Sequence, residues 1–129
     1  MTNPLSAIQQ HAEAINRRDL DAYVASMAFP FTYQNYNGVA ITMDTVAECK
    51  GSSSLPWDVI LQTDPTWSHS EFDDAIEVAS SVSSAVFKVS FRRVNRAGES
   101  SPTYDAIWIA TCRDGHWGVQ FRHNLGQRL

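Results

Sequence analysis

Apolar and polar residues alternate most regularly near the end of the chain, where two runs, 102–113 and 116–124, flank Asp114-Gly115. Alternation of this kind marks half-buried strands, and Asp-Gly between two such runs marks a two-residue type I′ turn whose central residues both need positive φ. That turn fixes a register. Counting outward from it pairs Cys112 with Trp117, Ala110 with Val119, Trp108 with Phe121 and Ala106 with His123 on one face. The opposite face then carries Asp105, Ile107, Ile109 and Thr111 against Asn124, Arg122, Gln120 and Gly118. The first face mixes aromatic with small side chains and ends in a histidine, which suits a cavity wall better than a close-packed layer.

The preceding segment repeats the pattern. Phe72, Asp74, Ile76 and Val78 share one face of a strand that turns near Ser81-Val82, and the return strand alternates Ala85, Phe87, Val89 and Phe91 with Val86, Lys88, Ser90 and Arg92. A turn at Ala97-Gly98 pairs Phe91 with Tyr104, Val89 with Ala106 and Phe87 with Trp108, so two independent turns give the same inner face. Ala97 is a weaker turn residue than Asp114 and leaves room for a bulge.

Helical spacing governs the first part of the chain. Thr2 or Asn3 caps a helix that starts near Pro4, carries Leu5, Ile8, Ala12 and Ile15 on one face, and ends around Arg17. Asp19 caps a second, short helix with Leu20, Tyr23, Val24 and Met27. Phe29-Pro30-Phe31 stops that helix and opens a strand from Phe31 to Asn35. Asn37-Gly38 turns the chain into a return strand from Val39 to Met43, and Asp44 caps a brief helix from Thr45 to Lys50 that ends at Gly51. Residues 51–69, with three consecutive serines and two prolines, read as a long loop with room for a helical turn. Its Trp57 and Trp67 are costly to leave in water, so they either cover the cavity mouth or patch the edge of the core.

Composition narrows the class. A chain of 129 residues reads as one domain, 1–129, and 43% hydrophobic with 19% charged residues and no long apolar run describes a soluble globular protein without a membrane span. The formal charge is −4, and the basic residues are scattered except at Arg17-Arg18 and Arg92-Arg93, so no nucleic-acid stripe is expected. The first residues lack the charged and apolar segments of a signal peptide, which predicts a cytoplasmic location. Cys49 and Cys112 have no ligand spacing and read as small buried hydrophobes rather than as a disulfide.

Two N-terminal helices, a short hairpin, a third helix and a long antiparallel meander resemble the order of elements in the cone-shaped NTF2-like α+β fold. The segment Gly115-His116-Trp117-Gly118-Val119-Gln120-Phe121-Arg122-His123 is similar to the last strand of SnoaL-like members, which carry Gly-x-Trp-x-Ile/Val and a histidine six residues after the tryptophan; Trp117, Val119 and His123 match. The resemblance implies three helices of the N-terminal half packed on a curved, mostly antiparallel sheet of about six strands. It leaves function open, because this superfold hosts isomerases, dehydratases, cyclases, epoxide hydrolases and non-catalytic binding subunits. In ketosteroid-isomerase-like members the base is an Asp near the end of the first strand. Asn35 stands roughly there and cannot accept a proton, which counts against steroid isomerisation by that route.

His123 leads the candidates for chemistry, since a histidine at the rim of an aromatic cavity can act as general acid or base near neutral pH. It can equally be a core histidine with its N–H on a backbone carbonyl. Asp74 on the inner face would be a carboxylate with a raised pKa, suited to proton transfer; alternatively Asp73 faces inward and Asp74 sits in solvent. Tyr33 and Asn35 can hydrogen-bond a substrate carbonyl or hydroxyl, or Tyr33 packs in the core. Phe87, Phe91, Tyr104, Trp108 and Phe121 supply the apolar wall, with Trp57 from the loop. His11, His69 and His116 form no ligand triad with His123, and neither a Gly-rich phosphate loop nor a nucleophile elbow is present, so no metal or cofactor is expected. The ligand expected is a small apolar or aromatic molecule. Either a cofactor-independent isomerase, dehydratase or cyclase works on it through His123, Asp74 and Tyr33, or the protein is a non-catalytic ligand-binding or oligomerisation module. Val86, Ile107 and Ile109 on the outer sheet face predict a homodimer.

Overall fold

The computed structural model describes residues 2–129. Helix α1 (Pro4–Arg17) starts where the Asn3 side chain accepts the Ser6 backbone N–H at 2.8 Å and stops where Arg18 turns to φ 52°. Its apolar stripe, Ile8, Ala12 and Ile15, is buried. Helix α2 (Leu20–Ala25) is capped by Asp19. Strand β1 (Met27–Asn35) follows at once, so Met27 belongs to the strand and not to the helix. Strand β2 (Ala40–Met43) returns antiparallel, and helix α3 (Val46–Lys50) is capped by Thr45 rather than Asp44.

Within the stretch expected to be loop, Pro56–Thr63 forms an additional helix, α4. Pro56 opens it, and the Asp58 carboxylate accepts the Leu55 backbone N–H at 3.3 Å. The remaining strands are β3 (Trp67–Ser80), β4 (Ser84–Asn95), β5 (Tyr104–Arg113) and β6 (His116–Gln127). Among the described residues no helix is long and apolar enough to cross a membrane.

The six strands form one curved, unclosed sheet in the order β2-β1-β6-β5-β4-β3. Every pairing is antiparallel except that of β1 with β6, which brings the start and the end of the chain side by side. Helix α1 lies across β3, β5 and β6, where Asn16 exchanges two hydrogen bonds of 2.8 Å with the Ser70 backbone. Tyr23, Phe31, Trp67, Val89 and Val119 fill the core between helices and sheet.

The β4–β5 register matches the turn-based reading: Phe91 pairs with Tyr104, Val89 with Ala106 and Phe87 with Trp108. The last hairpin also begins as expected. Asp114 and Gly115 take φ 52° and 77°, and Cys112 pairs with Trp117 and Ala110 with Val119. Beyond Val119 the register slips by one, because Gln120 is an extra residue on β6. Ile109 therefore faces Phe121, Trp108 faces Arg122, Ile107 faces His123 and Ala106 faces Asn124. The expected pairs Trp108 with Phe121 and Ala106 with His123 do not form. The cause lies in β1, whose first residues press on β6 here: the Val119 N–H donates to the Ser26 carbonyl at 2.8 Å, and Gln120 Nε2 donates to the Pro30 carbonyl at 3.0 Å. The strand bends around this contact, and the extra residue takes up the bend.

A second bulge corrects the reading of β3. Phe72 pairs with Phe91, but Asp74 pairs with Ser90, on the outward series of β4. Asp73 is the unpaired residue, and Arg92 binds its carboxylate with two bonds of 2.9 Å, so neither aspartate enters the interior.

Candidate functional site

Between the concave sheet face and α4 lies a cavity of about 330 Å³. Two rungs of the sheet make its floor. Tyr33 of β1, Arg122 of β6 and Trp108 of β5 form one; Asn35, Asn124 and Ala106 form the next. Side chains two residues apart on a strand share a face and stand about 7 Å apart, which is why each strand sends alternate residues inward. Phe91 and Arg93 continue the floor on β4, and Val59, Ile60 and Thr63 of α4 make the opposite wall.

Arg122 is the unusual member. Its residue is only 7% exposed, yet no carboxylate lines the cavity among the described residues. Its guanidinium donates to the Tyr23 hydroxyl at 2.9 Å and lies 5.0 Å from the Tyr33 ring centre, 5.4 Å from Phe31 and 5.8 Å from Trp108. Four aromatic faces, with Tyr23 at 5.7 Å, supply the attraction that a counter-ion would otherwise give. The Arg122 Nε is buried without a partner. Arg93 lies over the Tyr104 ring at 4.7 Å, and its Nε is likewise buried and unpartnered. Asn35 Oδ1 is a third buried atom without a partner, whereas Asn124 Oδ1 accepts the Gly126 N–H at 2.9 Å.

Protonation states follow from this setting. Burial pushes the Tyr33 phenol up, with Arg122, Arg93 and a hydrogen bond from Asn124 opposing it, so Tyr33 is neutral at physiological pH. Burial likewise pushes Tyr23 up to about 12 against the pull of Arg122. Behind the cavity wall, on α1, His11 is fully buried with its ring edge-on to Trp108 at 5.2 Å. The Ser26 hydroxyl donates to the Tyr23 carbonyl at 2.7 Å, so Ser26 Oγ accepts from His11 Nδ1 at 2.8 Å and that nitrogen carries the hydrogen. His11 Nε2 is unpartnered. Burial, with the Arg122 charge adding to it, holds His11 well below the usual histidine pKa and keeps it neutral.

Of the residues singled out from sequence, Tyr33, Asn35, Phe91 and Trp108 meet in the cavity. Phe87 is buried in the core beside it, and Tyr104 stacks on Phe91 at 5.3 Å from outside the lining. Trp57 does not cover the mouth; its half-buried ring packs edge-on to Tyr23 at 5.5 Å, and Trp67 is buried at the start of β3. The bulge at Gln120 puts His123 and Phe121 together on the outer face, 6.3 Å apart, and Asp74 is exposed. His123, Phe121 and Asp74 are therefore outside the cavity. Among the described residues no group of three His, Cys, Asp or Glu side chains is placed to hold a metal.

Arg93, Arg122 and Asn124 are the charged and amide side chains of the sheet floor that the sequence reading did not place in the cavity. Arg93 had a signal, since it lies two positions after Phe91 and must share its face. Arg122 and Asn124 had none, because unbroken alternation assigns both to the outside.

No protein-family model and no curated protein sequence matches the chain. Solved structures do. A Thiobacillus denitrificans protein described as a putative calcium/calmodulin-dependent protein kinase type II association domain superposes with a TM-score of 0.75 at 14% identity, over 99% of this chain and 98% of that one. An NTF2-like protein with a cystatin-like fold from Novosphingobium aromaticivorans gives 0.68 at 12% identity, over 92% and 76%. A ketosteroid isomerase-like protein from Erwinia carotovora atroseptica gives 0.62 at 17% identity, over 94% and 91%. At such identities the likeness is one of fold: the chain has the NTF2-like, or cystatin-like, α+β fold.

Proposed function

We propose that the protein binds a small, largely apolar molecule in the cavity between the sheet and α4. The supporting observation is the cavity itself, about 330 Å³ with aromatic and aliphatic walls and a few convergent polar groups, the usual make-up of a ligand site. Ala106 keeps the space open, since a longer side chain there would fill it. No carboxylate or imidazole lines the cavity among the described residues, so binding takes precedence over acid–base turnover. A cofactor-independent isomerase, dehydratase or cyclase is the second reading, favoured by Tyr33, a neutral phenol on the wall able to donate to a developing oxyanion. The test is calorimetric titration with 2-naphthol. Saturable binding is expected, and Ala106→Leu should weaken it at least roughly tenfold while the melting temperature holds. Unchanged affinity in Ala106→Leu would overturn the assignment of the ligand to this cavity.

We also propose that the outer sheet face pairs with a second copy of the chain. Val86, Ile107 and Ile109 are half-buried there, and the bulge adds Phe121 directly opposite Ile109, which makes a larger apolar patch than alternation alone predicted. Ile107→Asp is expected to convert a dimer to a monomer in light scattering with an unchanged circular dichroism spectrum. A wild-type monomer at micromolar concentration would refute the pairing.

A further inference from the structure

We infer that the cavity's ligand is a monocarboxylate on an aromatic or other apolar body, with its carboxylate seated on Arg122. The inference rests on the binding proposal above and specifies the ligand class for the same cavity.

A charged group that is 7% exposed needs a partner, because burial removes the hydration that stabilises its charge. Arg122 has the Tyr23 hydroxyl and four ring faces, but no anion. Ring faces attract the cation but are weak acceptors of its N–H groups, and Nε–H has no hydrogen-bond partner. Arg122 lines the cavity and only its Nη2 is engaged, by the Tyr23 hydroxyl, so the guanidinium has donors left for a carboxylate, the planar anion that Arg binds best.

The second observation is independent of Arg122. Arg93 also lines the cavity with a buried, unpartnered Nε, and both guanidiniums act on the Tyr33 phenol. Two cations and, among the described residues, no acid thus line one cavity in a chain whose formal charge is −4. The local sign opposes the global one. A low-dielectric cleft concentrates that local field and draws an anion into it. Of the two cations only Arg122 is deeply buried, whereas Arg93 is half-buried and keeps part of its hydration, so the enclosed charge to be balanced is a single one. The walls themselves, Phe91, Trp108 and the α4 aliphatics, suit a ligand body that is planar and apolar.

The experiment compares 2-naphthoate with its neutral isostere 2-naphthamide on the wild-type protein by calorimetry at neutral pH and low salt. The naphthoate is expected to bind roughly tenfold to a hundredfold more tightly, the usual worth of a hydrogen bond to a charged partner. Arg122→Met should abolish that preference, and Arg122→Lys should retain part of it. The wild-type comparison involves no variant, so a folding defect in Arg122→Met leaves it intact. Equal affinity for the two probes, with both blocked by Ala106→Leu, would overturn the carboxylate inference and leave the binding proposal standing. Binding of neither probe nor of 2-naphthol would overturn both. Displacement of 2-naphthoate by inorganic phosphate at equal concentration would also overturn the inference, since it would mark a phosphate site.

Discussion

Gly118→Ala is expected to cost about 3 kcal/mol or more, a large share of the stability of a domain this size. A Cβ at position 118 would lie 2.4 Å from the Met27 carbonyl oxygen, 2.5 Å from its carbon and 2.8 Å from the Ala28 nitrogen. All three are backbone atoms, so no side chain can rotate aside. Relief requires moving β1 from β6, and the Val119-to-Ser26 hydrogen bond of 2.8 Å holds the two together there. The same contact positions Tyr33 against Arg122 a few residues on, so the damage should reach the cavity. Gly38→Ala is the control: nothing stands within 4 Å of its Cβ, and only the strain of φ +89° applies, about 1 kcal/mol. Urea midpoints should fall far more for Gly118→Ala than for Gly38→Ala, and the reverse order would refute the close-approach account.

Stability should also fall steeply in mild acid, and His11 is the reason. Its folded-state pKa lies well below the ordinary 6.5, so below pH 6.5 the unfolded chain takes up a proton that the folded chain refuses. The stability linked to His11 is therefore complete above about pH 6.5 and is lost as pH falls toward the folded value, at roughly 1.4 kcal/mol for each pH unit. The carboxylates act later. Asp105, held down to about 2 by Arg128 and Ser90, loses its contribution only as pH drops from about 4 toward 2. Chemical denaturation between pH 7 and pH 5 should show the slope of one proton, and His11→Gln should remove that slope even where it lowers stability throughout. A flat profile over this range would mean that His11 ionises in the folded protein.

Much of this architecture could be read from the residues because local chemistry and tertiary packing agree. Asn3, Asp19 and the Asp114-Gly115 pair mark boundaries that stand where turn and cap geometry put them. Helix α4 was hidden because three serines precede it, Pro56 opens it and Pro65 follows it, and its 8 residues are too few for the period to stand out. The site was less legible than the fold. Tyr33, Asn35, Phe91 and Trp108 follow from alternation on strands whose register is regular. The inward placements of Phe121 and His123, and of one aspartate at 73 or 74, miss at two bulges, one where β6 meets the segment before β1 and one beside the Arg92–Asp73 ion pair, and no local residue announces either. Of the two roles open to Trp57, covering the mouth or patching the edge of the core, the structure shows the second, with its ring edge-on to Tyr23.

Gln120 acts on β6 as a single inserted letter acts on a reading frame. Side chains along a strand have a period of two, so one extra residue exchanges the inside and outside sets from Phe121 to Asn124, up to the next irregularity at Leu125. In its present phase the strand delivers Arg122 and Asn124 to the interior and Phe121 and His123 to the exterior. In the other phase the same letters would deliver an imidazole and a phenyl ring inward and send the guanidinium out. In this chain the spacing along the last strand, more than the identity of its histidine, decides which side chains the cavity receives.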